Sequence, residues 1–229
     1  MTSTSNLPAF TRQQFTQAGG RRLSRDSRLK PQVWEVQFEG KCWIVKDVAA
    51  LSPWWRPLAR YLLRRERRAL HRLVGVAQVP QWAGDLDKNA FLCSFLSGTP
   101  LTKELFQKNP RGFADALSRV GCAIHQRRVF HLDLRQRQNV FVDADGLPQI
   151  VDFGASLILG PFSGFFFRRL FSWVDQQAPL KYLSRWAPEE MTPAEARSFL
   201  RGQRWRRFWF VSPHQDDGEL AAAKRQAKK

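Results

Sequence analysis

The sequence predicts an α+β protein made of two lobes, residues 1–97 and 98–229, that form one functional domain. Two hairpin patterns, at 33–48 and 140–151, lie on either side of two amphipathic helical patterns, at 60–70 and 113–124. A polar, motif-bearing loop leads into the second hairpin, so strands and helices are segregated rather than strictly alternating. With 229 residues, 43% of them hydrophobic, the chain is long enough to bury a core and too apolar to be disordered.

Residues 1 to 17 carry little pattern and read as a loose lead-in, and Gly19-Gly20 with RRLSRDSR reads as a loop. VWEVQF and CWIVKDV, joined by Glu39-Gly40-Lys41, read as a hairpin. Trp34, Val36 and Phe38 alternate on one strand, Trp43 and Val45 on the next. RYLLRRERRAL reads as a basic amphipathic helix with Tyr61, Leu62, Ala69 and Leu70 as its apolar stripe and Glu66 as its only acid. After Val79-Pro80, residues 90–96 read as a buried strand that Ser97-Gly98-Thr99-Pro100 ends. Phe113, Leu117, Val120, Gly121 and Ile124 follow helical spacing.

The stretch from His131 to Gly154 organises the chain. A polar loop bears His131, Asp133 and Asn139. Val140-Phe141-Val142 and Pro148-Gln149-Ile150-Val151 then flank an Asp-Gly turn, a hairpin signal because Gly tolerates the positive φ of a tight turn. Asp152-Phe153-Gly154 follows directly, so a carboxylate stands at the end of a short sheet.

This arrangement resembles the core of protein-kinase-like phosphotransferases, with their His-Arg-Asp-Leu-x-x-x-Asn loop and Asp-Phe-Gly metal motif. The resemblance implies ATP and Mg²⁺ as cofactors. Phosphoryl transfer needs mainly positioning and charge neutralisation. On that reading Asp133 orients the acceptor hydroxyl, Asn139 and Asp152 hold the metal, and Arg135 neutralises the transferring phosphoryl. Lys46 grips the ATP phosphates and pairs with Glu66, and Ser94, Phe95 and Leu96 form an adenine-binding hinge through backbone groups. His131 is a structural brace of the loop. Without the resemblance, Glu66 would be read as a surface partner of nearby arginines, and the two aspartates as turn caps.

The sequence departs from the family in two places. The family's amide stands about five residues after the catalytic Asp, which here is Gln138. Counted back from Asp152, the family's usual spacing lands on Asn139. Strand register is the firmer guide, since a one-residue slip exposes the apolar face, so Asn139 is taken and Gln138 held in reserve. The second departure is at residues 24–29, where the family has a glycine-rich phosphate loop and this chain has Ser-Arg-Asp-Ser-Arg-Leu. Either Arg25, Arg28 and the serines serve through side chains, or the loop is solvated.

Past Gly154, Ala187-Pro188-Glu189 imitates a kinase motif but also reads as a helix start, and Thr192-Pro193-Ala194-Glu195 has the capping-box form. The short C-terminal part resembles that of small atypical kinases, such as the bacterial lipopolysaccharide-core kinases and RIO-type enzymes. GPFSGFFFRRLFSWV sets aromatics against paired arginines and suits either a membrane interface or a core helix. Arg201, Arg204, Arg206 and Arg207 around Trp205, Phe208 and Trp209 repeat the theme. The tail AAAKRQAKK reads as a disordered basic end.

Lys and Arg number 37 against 20 Asp and Glu, a net charge of +17 that favours polyanionic partners without choosing among them. No zinc-ligand spacing or RNA-recognition signature points to specific nucleic acid. Cys42, Cys93 and Cys122 read as reduced thiols, and the absence of a signal-peptide pattern predicts a cytoplasmic protein, with peripheral contact to an anionic inner-membrane face. The expected activity is transfer of the ATP γ-phosphoryl group to a hydroxyl, foremost on a sugar of lipopolysaccharide core. The alternatives are a Ser/Thr protein kinase and a pseudokinase-type binding module.

Overall fold

The computed structural model describes residues 10–160, 163–206 and 217–227. The chain is α+β and divides into two compact units. The first contains the chain up to Leu96 together with Asp152–Leu157, and the second contains Ser97–Val151 and the chain from Ile158 onward.

The first unit holds a five-stranded antiparallel sheet, β1 (Arg21–Arg22), β2 (Gln32–Phe38), β3 (Lys41–Asp47), β4 (Trp82–Asp87) and β5 (Ala90–Ser94), in the order β1-β2-β3-β5-β4. Helices α1 (Arg12–Ala18) and α2 (Arg56–Arg72) accompany it. Between β2 and β3, Glu39 at φ 50° and Gly40 at φ 71° make the two-residue, twist-matched turn that joins Phe38 to Lys41. The alternation read from the sequence places Val36 and Val45 in a core with Phe10, Ala90 and Leu92, and Trp34, Phe38 and Trp43 pack against it.

Part of the supposed loose lead-in, residues 12–17, lies within helix α1, while residues 1–9 lie outside the described residues. A Thr11/Gln14 capping box starts this helix, Phe15 packs on the sheet core, and Arg12 pairs with Asp47 and with Asp87. Arg21 and Arg22 of the supposed loop pair with β2. Strand β4 was not anticipated, because two register irregularities break its alternation. Strand β5 ends at Ser94, two residues earlier than expected. The buried stripe of α2 is Ala59, Leu63, Glu66, Ala69 and Leu70, whereas Tyr61 is exposed.

The second unit contains β6 (Thr99–Pro100), α3 (Lys103–Gln107), α4 (Pro110–Gln126), β7 (Val129–Phe130), β8 (Val140–Val142), β9 (Pro148–Ile150), α5 (Phe165–Trp186), α6 (Pro193–Arg206) and α7 (Asp217–Gln226). Asn109 caps α4 by accepting the Gly112 N–H, with Pro110 at the first helical position. The expected hairpin forms with Val140 opposite Ile150 and Val142 opposite Pro148. Its turn is closed by Asp143, whose Oδ1 accepts the N–H groups of Asp145 and Leu147. Helix α5 packs on α4, and Phe106 sits against Tyr182 and Trp186.

Before α6 the capping box forms as expected: Glu195 accepts the N–H and hydroxyl of Thr192, and the Thr192 hydroxyl accepts the Glu195 N–H. The tail AAAKRQAKK was expected to be disordered, yet its larger part continues helix α7, with Ala223 buried. Arg207, Phe208 and Trp209 lie outside the described residues. Among the described residues no helix is long and apolar enough to cross a membrane.

Candidate active site

In the first unit, β3 and α2 bring Lys46 and Glu66 together. β3 is paired on both sides, so Lys46 is fixed in register between Val33 and Phe91. Glu66 lies on the buried stripe of α2, only 3% exposed, and its Oε1 accepts from the Lys46 ammonium and, at 3.2 Å, from the Phe153 N–H. The reading of Glu66 as a solvated surface acid is thereby excluded. Lys46 Nζ also lies 3.3 Å from Asp152 Oδ1.

Burial opposes the charge on Lys46, but Glu66 and Asp152 outweigh it and hold the ammonium above the ordinary lysine range. Burial pushes the Glu66 carboxyl up, with Lys46 pulling the other way and Asp152 adding to the rise. Burial also pushes the neighbouring Cys93 thiol up to about 12.

Asp152 has a left-handed backbone, φ 62°, and begins a short 3₁₀ turn by accepting the Gly154 N–H at 3.4 Å. Phe153 is fully buried against α2, which anchors the turn, while the Asp152 side chain remains 49% exposed. A carboxylate is thus held rigidly from behind and open in front.

The stretch expected to replace the glycine-rich loop connects β1 to β2. Its serines are engaged internally: Ser24 Oγ accepts the Val33 N–H, and Ser27 Oγ accepts those of Leu29 and Lys30. Between this loop and the start of α2 lies a cavity of about 320 Å³ lined by Arg22, Arg28, Gln32, Ser52 and Trp55, among others. Arg25 does not line it. Among the expected hinge residues, Ser94 closes β5, with its hydroxyl accepting the Gln81 N–H. Phe95 and Leu96 follow outside any regular element.

In the second unit, the loop after β7 carries Asp133. Asn139, only 2% exposed, donates from Nδ2 to Asp133 Oδ2 at 2.9 Å and to the Asp133 carbonyl at 3.0 Å. Gln136 donates to the other carboxylate oxygen at 2.8 Å. Gln138 is exposed and bonds to Gln136, so Asn139 is the amide built into the loop. The Val151 N–H bonds the Asn139 carbonyl at 3.0 Å, continuing the β8–β9 ladder. His131 is fully buried and braces the loop, bonding through Nε2 to the Val151 carbonyl at 3.0 Å and through Nδ1 to the Asp133 N–H. Arg135 turns its guanidinium over the Phe199 ring, 6.0 Å from the centroid.

The sequence reading missed the residue that holds this loop. Asp175, buried in α5, accepts the N–H groups of His131 and Leu132 at 2.8 and 2.7 Å and bonds His125 Nε2 at 2.9 Å. The other ring nitrogen, His125 Nδ1, bonds Ser172 Oγ. Further along the helix, Tyr182 O–H and Lys181 Nζ donate to the carbonyls of Leu134 and Arg135. One signal for Asp175 was available: it is the only acid between Asp152 and Glu189.

A search against protein-family models gives no match to this chain, and a search of curated proteins gives none either.

Proposed function

We propose that the chain is an ATP- and Mg²⁺-dependent phosphotransferase of the protein-kinase-like class, with a reduced C-terminal lobe and a hydroxyl group as acceptor. The observation that carries this reading is the buried Lys46 ammonium held between Glu66 and Asp152. A buried lysine fixed as a cation by two carboxylates is a costly arrangement to maintain for stability alone, and it suits the gripping of nucleotide phosphates.

Each residue then has a defined task. Lys46 binds phosphate oxygens and Glu66 sets its rotamer. Phe95 and Leu96, with Ser94, offer backbone groups to the adenine. Asp133 accepts a hydrogen bond from the acceptor hydroxyl and orients it, and Asn139 and Gln136 fix the carboxylate for that task. Mg²⁺ takes hard oxygen ligands and tolerates few of them from protein. The exposed carboxylate of Asp152 fits that donor set, as does the Asn139 side-chain carbonyl, whose amide nitrogen is already committed to Asp133. Bound there, the ion would supply neutralisation of phosphate charge.

The proposed acceptor is a sugar hydroxyl of lipopolysaccharide core at the inner membrane face, which the basic charge and the Phe/Arg segment favour. A Ser/Thr protein acceptor is the alternative. One observation favours a pseudokinase instead: residues 24–29 contain no glycine to let backbone N–H groups approach phosphates closely.

The test is transfer of label from γ-radiolabelled ATP with Mg²⁺, offering core lipopolysaccharide and a protein extract separately. Label on the glycan, lost in Asp133→Ala and Asp152→Ala, is expected. Label on protein selects the alternative acceptor, and ATP binding without mutant-sensitive transfer selects the pseudokinase.

A further inference from the structure

The first turns of α5 expose a broad arc of apolar side chains. Phe165, Phe166 and Phe167 are 77, 70 and 53% exposed, and Leu170 is exposed one turn later. Successive helical residues are rotated by about 100°, so Phe165, Phe166, Leu170 and Phe167 spread over an arc of about 200°, wider than the usual core-facing stripe, with Arg169 inside that arc and Arg168 on the remaining side. A protein groove receives a helix along one apolar face, and a helix packed on a core buries one face. A broad exposed apolar arc at a helix end, interrupted and bordered by arginines, fits the boundary layer of a bilayer, where rings meet apolar surroundings and cations reach the headgroups.

The charge pattern agrees. From Phe153 to Val174 the chain has no Asp or Glu, and its only charged residues are Arg168 and Arg169. These follow the phenylalanines by about 1.5 Å of rise per residue, the level at which long cationic side chains reach headgroup phosphates while their stems stay in apolar surroundings. Interfacial aromatics ahead of paired arginines thus select a surface rich in anionic phospholipid.

We infer that the N-terminal end of α5 is a membrane-docking tip. It inserts Phe165, Phe166 and Phe167 shallowly into an anionic bilayer while Arg168 and Arg169 bind lipid phosphates. The inference does not depend on the proposed activity. It has a geometric consequence for it: Asp175, which holds the Asp133 loop, stands on the same helix about 15 Å of rise from Phe165. An acceptor for that loop on a lipid-linked glycan would project a comparable distance from the bilayer.

The experiment is vesicle co-sedimentation of the full chain, without nucleotide. Phosphatidylcholine vesicles with and without about one-third phosphatidylglycerol are compared at low salt and at a concentration of salt that screens charge attraction. Wild type should bind the anionic vesicles and retain part of that binding at high salt. Phe165→Ser/Phe166→Ser should lower the salt-resistant part at least tenfold, and R168Q/R169Q should remove the preference for phosphatidylglycerol. The phenylalanine changes fall on exposed side chains, so circular dichroism and thermal unfolding should match wild type. The proposal is overturned by absent binding, by loss of all binding at high salt in wild type and variants alike (attraction by net charge only), or by equal binding to neutral and anionic vesicles.

Discussion

Asp175 holds Leu132 in a left-handed backbone conformation, φ 64°, by taking its N–H on Oδ1 at 2.7 Å while Oδ2 takes the N–H of His131. A branched residue adopts that conformation at a cost of roughly 1–3 kcal/mol, so the carboxylate must over-determine it. The result is a loop whose shape is imposed from α5, while the half-buried Asp133 carboxylate is positioned by Asn139 and Gln136.

Asp175→Asn should therefore lose more than a surface change would. An amide presents one oxygen where three donors converge, and its NH₂ opposes a backbone N–H. Orphaned buried donors cost about 1–3 kcal/mol each, so a destabilisation of about 3 kcal/mol is expected in urea unfolding. Phosphotransfer should fall with it, and Asp175→Glu should not restore it, because the longer side chain overshoots both N–H groups.

Lys46 and Glu66 should show strong coupling. Glu66→Leu leaves a buried ammonium with only the half-exposed Asp152 as a partner, and Lys46→Met leaves a buried carboxylate. Breaking one partner of a buried pair costs about 3–5 kcal/mol, whereas replacing both with apolar groups can be nearly neutral. The double variant should be more stable than either single in a denaturant cycle, yet inactive in ATP turnover. Equal, additive losses would contradict the buried pair.

Asn139 and Gln138 are neighbours with opposite expectations. Asn139→Ala removes the bond that fixes Asp133 and should lower turnover about a hundredfold, on the order of 2.7 kcal/mol of barrier. Gln138→Ala loses only an exposed contact to Gln136 and should stay within about twofold, under 0.5 kcal/mol.

The start of α6 should carry an acid-sensitive share of stability. Burial raises the Glu195 carboxyl, but hydrogen bonds from Arg111 and Thr192 outweigh that and leave its pKa below the usual range. A depressed carboxylate stabilises the fold above its unfolded value, near pH 4.3, and the contribution is lost as pH falls through the folded value. The urea midpoint of wild type should decline between pH 5 and 3 more steeply than that of Glu195→Gln, which lacks the titrating group.

Much of this was readable in advance because local signals agreed with one another. The Glu39-Gly40 turn, the two-residue alternation of Trp34, Val36 and Phe38, and the Asn139 register each rest on interactions between sequence neighbours or paired strands. What escaped depends on distant partners. Helix α1 reads as polar and patternless, and its order comes from Arg12 meeting Asp47 and Asp87 and from Phe10 and Phe15 reaching the sheet. Strand β4 is hidden by bulges. Glu66 was visible as an acid among arginines, but only the rotation of α2 puts it on the buried face. Asp175 acts across 44 residues of chain, which no window of sequence spans.

The division of the chain has a consequence for biosynthesis. Strand β5 inserts between β3 and β4, so the first sheet cannot close until Ser94 has left the ribosome. The same unit is completed by Asp152–Leu157, with Phe153 seated on α2. Every residue from Ser97 to Val151 must therefore be synthesised before the first unit receives its last piece. A nascent chain halted within that interval lacks Phe153 for its apolar seat on α2, and such a fragment is an exposed target for chaperones and proteases until translation moves on.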